Sequence, residues 1–233
     1  MRTTVGVGRL LLAALIVVAV AATFAATAAR ALIVPANFFG YFTVQANLLA
    51  VPVLATSGAL LLRGARAPGW FDVARAAVAT YLVIVGAVYA LLLAPLGAEG
   101  GVPLPWANTV LHVISCLLVP LDWLLVTDRR RLSYRQVGWL LLYPAVWCVV
   151  VLIRGAVDGW VPYPFLDQSR GAGPVAIAVA GIAVAVLVAG LLVLAASRLR
   201  VLRLAVAHDE HGRFRTRRGG VPPRGVRNRP PEG

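Results

Sequence analysis

The chain has no lysine, only nine acidic residues, two cysteines and a single methionine. Charged residues fill 13% of its 233 positions, about half the share of an ordinary soluble domain. That scarcity excludes a highly charged disordered chain and a normally polar, water-facing surface. Cys116 and Cys148 both fall in apolar stretches, so they read as small hydrophobes and no disulfide scaffold is implied. The sequence has no glycine-rich dinucleotide loop and no paired histidines within apolar stretches, which argues against redox enzymology and leaves no cofactor to expect. No ten-residue alternation marks a membrane β-barrel.

What fills the chain instead is apolar side chain and arginine. Hydrophobic residues make up 60%, the mean hydropathy is +0.84, and the formal net charge is +13, carried by 22 arginines. A charge that large raises the question of nucleic acid or anionic membrane, and the apolar fraction excludes a soluble nucleic-acid-binding domain. Six apolar stretches are long enough to cross hydrocarbon, which takes about 20 residues. They run approximately over 10–29, 41–62, 73–96, 107–126, 136–153 and 175–197. The expected fold is therefore all-α: a single six-helix transmembrane bundle over residues 1–197, because only helices or closed barrels satisfy the backbone in lipid. Ala26-Thr27-Ala28 resembles a signal-cleavage site, but the first apolar run exceeds the usual 7–15 residues of a signal core and reads as a span.

Arginine placement orients the bundle. Nineteen of the 22, including Arg2, Arg9, Arg63, Arg66, Arg75 and the run Arg129 to Arg131, fall on one side, and only Arg30, Arg154 and Arg170 on the other. By the positive-inside rule both termini are cytoplasmic, in a multi-pass protein of the cell membrane. Residues 198–233 form an Arg-, Gly- and Pro-rich tail that cannot bury a core and is expected to be disordered. Its expected partners are anionic lipid headgroups, and no nucleic-acid module is present. His208-Asp209-Glu210-His211 in that tail reads as a solvated polar patch, so no metal site is expected. The all-arginine, Ala- and Val-rich usage points to a GC-rich bacterial genome.

Polar groups inside hydrocarbon are costly and each needs a reason. Thr43 and Asn47 lie four apart near the start of the second span, and Asn108 and His112 four apart near the start of the fourth, so each pair shares a helix face. Both spans run the same way, which sets Thr43 and His112 at similar depth near the outer face. A hydroxyl and an imidazole so placed form a candidate nucleophile and base, with Asn47 and Asn108 as candidate orienting or oxyanion groups. The same residues serve equally as hydrogen-bond glue between helices. Asp122 lies about 15 Å below His112 along the axis, too far to complete a triad. It is expected to pair with Arg75, which enters the third span at similar depth. The longest connector offers Arg154, Trp160, Tyr163 and Asp167, on a Pro- and aromatic-rich loop expected to cover the outer ends of spans two and four.

At these residues the chain resembles a known family. The run Tyr41-Phe42-Thr43-Val44-Gln45-Ala46-Asn47, the Trp106-x-Asn108-x-x-x-His112 start of span four, and the Gly159-Trp160-x-Pro162-Tyr163-Pro164-Phe165-Leu166-Asp167 loop resemble the bacterial Pr-six-Pr family of six-span membrane proteins. That resemblance covers most of residues 5 to 200. Around Thr43 and His112 the chain is also distantly similar to the animal androgen-induced and androgen-dependent membrane proteins, threonine hydrolases of fatty acid esters of hydroxy fatty acids. The resemblance implies Thr43 as nucleophile and His112 as base, and a site walled by Leu, Val and Phe is expected to select a long-chain lipid ester as substrate. The Trp160–Asp167 loop belongs to the bacterial group alone. The rival expectation is a non-catalytic lipid- or solute-binding membrane protein or small transporter. Pro52 and Pro120 offer kinks for such motion, while no internal repeat or broken span supports it.

Overall fold

The computed structural model describes residues 1–30, 32–95, 104–199 and 201. The expected tail beyond 201, its His208–His211 cluster and the end of the third stretch at Leu96 lie outside the described residues. Among the described residues six helices are long and apolar enough to cross a membrane: α1 (Arg2–Ala28), α2 (Phe42–Arg63), α3 (Gly69–Leu93), α4 (Pro105–Leu125), α5 (Tyr134–Val157) and α6 (Ala172–Ala196). The chain is a multi-pass integral membrane protein, all-helical among the described residues.

Local chemistry sets the ends of these helices. Pro105 opens α4, where a missing N–H is harmless. Ser133 and Gln136 form a reciprocal capping box at the start of α5. Gly64, at φ 72°, ends α2 by returning its own N–H and that of Ala65 to the last turn, a left-handed conformation that favours glycine. α1 begins eight residues before the stretch expected from the sequence. Its early turns hold Arg9, which long-range carboxylates neutralise.

The helices pack as a bundle with two distinct ends. At the basic end, an Arg2 nitrogen donates to the Leu61 carbonyl at 3.0 Å, and Leu132 N–H donates to the Ser197 hydroxyl at 3.0 Å. At the opposite, loop end, Arg154 donates to Asn37 at 2.8 Å and the Trp147 indole to the Gly40 carbonyl at 2.9 Å. α1 lies directly on α2: a Cβ on Gly58 would stand 2.8 Å from the Gly6 carbonyl oxygen, so close approach requires small residues there. Two π-helical turns interrupt the ladder, at Tyr89–Leu93 in α3 and at Val110–Ile114 in α4.

A buried ion network ties the basic end together. Arg9, 3% exposed, donates from Nε to Asp122 at 3.0 Å and from Nη1 to Asp128 at 2.5 Å. Arg75 reaches Asp128 at 2.8 Å, Asp122 at 3.5 Å and Asp72 at 3.8 Å. The Arg75 and Asp122 of the sequence reading are thus neighbours, but each has a nearer partner. Arg9 and Asp128 escaped that reading, because Arg9 sits just before the first apolar run and Asp128 just after the fourth. Burial alone would raise the Asp128 carboxyl, yet Arg75 and Arg9 outweigh it and hold the group below its ordinary 3.8.

Candidate lipid-facing site at the loop end

The loop end holds a cavity of about 590 Å³, a size typical of small-molecule sites. Its walls are apolar side chains of α3, α5 and α6, including Val85, Pro144, Leu152, Val179 and Val186. Hydroxyl groups enter this lining at two positions, Thr43 from the first turn of α2 and Tyr163 from the loop. The Thr43 N–H donates to the Tyr163 hydroxyl at 3.4 Å. Burial pushes the Tyr163 phenol above its ordinary 10.0, so it stays protonated and keeps a hydrogen to donate.

Aromatic packing fixes Tyr163. Its ring stacks on Phe165 at 5.3 Å and meets Tyr41 edge-on at 5.8 Å, with Trp147 at 6.0 Å. The other loop candidates do different work. Arg154 lies over the Trp160 ring at 4.3 Å and pairs with Asp158 at 2.7 Å, so these residues clamp the loop to the helix ends. Asp167 accepts the Ser169 N–H at 2.9 Å as a local cap, and its side chain is 37% exposed. The loop lies over the start of α2 and packs on α6, where the sequence argument expected α4 beneath it. The antiparallel neighbour of α5 brings α6 under the loop that joins them.

His112 occupies the centre of the π turn in α4, a local irregularity often found at functional sites. Its ring stacks on Tyr89 at 4.3 Å, and the Asn108 amide nitrogen donates to the Tyr89 hydroxyl at 2.6 Å. Tyr89 itself begins the other π turn. His112 Nδ1 faces the Asn108 backbone carbonyl at 3.3 Å. A carbonyl only accepts, so the hydrogen belongs on Nδ1 and Nε2 is the basic nitrogen. His112 is absent from the cavity lining, and the hydrogen bonds of the described residues do not join it to Thr43.

Asn47 connects the two halves of the site. It is fully buried, and its amide nitrogen donates to the carbonyls of Thr43 at 2.9 Å and Leu111 at 3.1 Å. The residue preceding His112 is thereby tied to the residue that enters the cavity. Both amide hydrogens of Asn47 are committed, and its free atom is an acceptor oxygen. In this geometry it orients helices and has no hydrogen left for an oxyanion. Sequence reasoning did not single out Tyr89, whose only signal is an aromatic ring near the end of an apolar span. Compared with family models, with curated proteins and with solved structures, the chain finds no match.

Proposed function

We propose that the protein is an intramembrane hydrolase of long-chain lipid esters, with Thr43 as nucleophile and the basic end of the bundle on the cytoplasmic side of the cell membrane. The observation that carries this reading is a hydroxyl pair, Thr43 and Tyr163, at the loop end of an otherwise apolar cavity in a membrane-spanning bundle. An apolar cavity selects an acyl chain, and its polar end is where an ester carbonyl would sit. The resemblance at Thr43 and His112 agrees with it.

In this reading the Thr43 oxygen attacks the ester carbonyl carbon and its proton passes to His112 Nε2. The Tyr163 hydroxyl donates to the developing oxyanion. The tetrahedral centre collapses with cleavage of the ester C–O bond, and the leaving alcohol takes the proton back from the imidazolium. Water then attacks the acyl-threonine ester, giving one proton to His112. Its collapse releases the fatty acid and returns the proton to Thr43. Asn47 and the Asn108–Tyr89 pair serve as positioning residues.

A second reading, lipid binding without hydrolysis, is favoured by one observation: His112 does not line the cavity. A fluorophosphonate probe separates the two. The purified protein in detergent should become labelled, with labelling lost in Thr43→Ala and strongly reduced in His112→Ala. A well-folded wild type that takes no label, or labelling that survives Thr43→Ala, overturns the hydrolase reading.

A further inference from the structure

α5 and α6 lie together at the basic half of the bundle and part toward the loop end. In the closed half the two helices are in contact around Gly190 of α6, where a Cβ would stand at an ordinary packing distance of 3.5 Å from the side chains of both Leu140 and Val137 of α5. Leu140 and Leu194 in this half are fully buried. In the parted half, the space between the helices is the cavity itself, with Pro144, Cys148 and Leu152 on one wall and Val179 and Ala183 on the other. Tyr163, Phe165 and Leu166 cap its loop end.

The cavity is not sealed from the bilayer. Val149 of α5 and Val184 of α6 both line it, yet they are 55% and 60% exposed, each in the middle of a helix long and apolar enough to cross a membrane. The cavity wall is therefore continuous with the lipid-facing surface along the α5–α6 seam. Its α5 wall runs from Leu141 to Leu152, about 16 Å at the helical rise. That is about half of a hydrocarbon core roughly 30 Å thick, the depth of one leaflet.

We infer that the α5–α6 seam is a lateral portal through which one acyl chain of a loop-end-leaflet lipid enters, with its carbonyl beside Thr43 and Tyr163 and its methyl end near Leu141 and Val186. The inference rests on the reading of the cavity as a lipid site and names how its occupant arrives and lies. It does not need the hydrolytic step. The chain enters from hydrocarbon, so no apolar surface crosses water and no helix must unwind. Pro144, inside α5 where the helices begin to part, lines this wall.

The test is photo-crosslinking in proteoliposomes with a phosphatidylcholine carrying a diazirine on one acyl chain, placed either next to the carbonyl or at the chain end. The near-carbonyl probe should mark peptides around Leu152 and Tyr163, and the chain-end probe those around Leu141 and Val186. Ala183→Trp, at an exposed position on the wall, should abolish both crosslinks, and Ala145→Trp should do the same from the opposite wall. Crosslinks scattered over all bilayer-facing helices, a reversed order along the chain, or crosslinks that persist in both tryptophan variants overturn the portal. The experiment is repeated in Thr43→Ala. Unchanged crosslinks there, combined with absent fluorophosphonate labelling of the wild type, would end the hydrolase reading and keep the portal.

Discussion

Two buried side chains at the loop end differ in what they have left to give. Asn47 has spent both amide hydrogens on backbone carbonyls, so it acts on the relative position of α2 and α4. Tyr163 keeps a hydroxyl hydrogen at the cavity end. Opposite outcomes follow for their variants. Asn47→Ala should lower the stability of the protein in detergent by about 1–3 kcal/mol, the usual loss for removing a buried bridging donor. Tyr163→Phe keeps every ring contact and removes only the acceptor of one long bond, from the Thr43 N–H at 3.4 Å, so it should cost about 1 kcal/mol, the low end of that range, while slowing fluorophosphonate labelling of Thr43. Thermal unfolding and labelling rates measured on the same preparations check both. Equal losses of stability in the two variants would remove the distinction. At this scale the sequence was only partly legible. The i, i+4 spacing identified Thr43, Asn47, Asn108 and His112 as polar residues needing partners, but spacing within one helix cannot say which partner is on another.

Among elements, the α1–α2 contact shows how little of a helix interface its own pattern reveals. Gly6, Gly8 and Gly58 look alike in sequence. A Cβ on Gly58 would press on the Gly6 carbonyl at 2.8 Å, a backbone atom that cannot rotate away, whereas a Cβ on Gly8 meets nothing within 4 Å. Gly58→Ala should therefore destabilise by about 1–3 kcal/mol through overpacking. Gly8→Ala should be neutral or stabilise by up to about 1 kcal/mol through helix propensity. A lowered melting temperature for Gly58→Ala beside an unchanged or raised one for Gly8→Ala, read in one detergent, is the expected result. The two π turns belong to this scale as well. Each inserts an extra residue into the hydrogen-bond ladder, so Tyr89 and His112 face each other in a way that a 3.6-residue repeat does not indicate. The long apolar runs gave the six helices because span length is dictated by bilayer thickness. Their edges were less legible: α1 extends back through Arg9 only because Asp122 and Asp128 lie across the bundle.

For the molecule as a whole, the charge divides into two kinds. Arg9 and Arg75 are counted with the basic face by sequence, yet both are buried in the network with Asp72, Asp122 and Asp128. They hold α1, α3, α4 and the connector after α4 together. Asp128→Asn should destabilise the bundle by about 3 kcal/mol, because it leaves two buried guanidinium groups short of a counter-charge. The pH dependence has a definite sign. The Asp128 carboxyl is held below its ordinary value in the folded protein, so its contribution is complete above an unfolded value of about 4 and is lost as pH falls below that. Melting temperatures followed from neutral pH into acid should drop below about pH 4 in the wild type. The drop should be shallower in Asp128→Asn. An acid limb of identical steepness in both would show that Asp128 is not its source.

The sequence by itself determined that the chain carries six stretches long and apolar enough to cross a membrane as helices, with most arginines of the described residues in the connectors at one end of them. Those outcomes depend on transfer of each segment into hydrocarbon and on backbone bonds made within it, both local quantities. Only the tertiary structure decided that Thr43 meets Tyr163 across 120 positions, that Arg9 meets Asp122 across 113, and that α5 and α6 part to leave a cavity. Such contacts are fixed by how helices pack, which no single helix records. The scarcity of charge announced a membrane protein, and the placement of the few hydroxyls within it required the bundle.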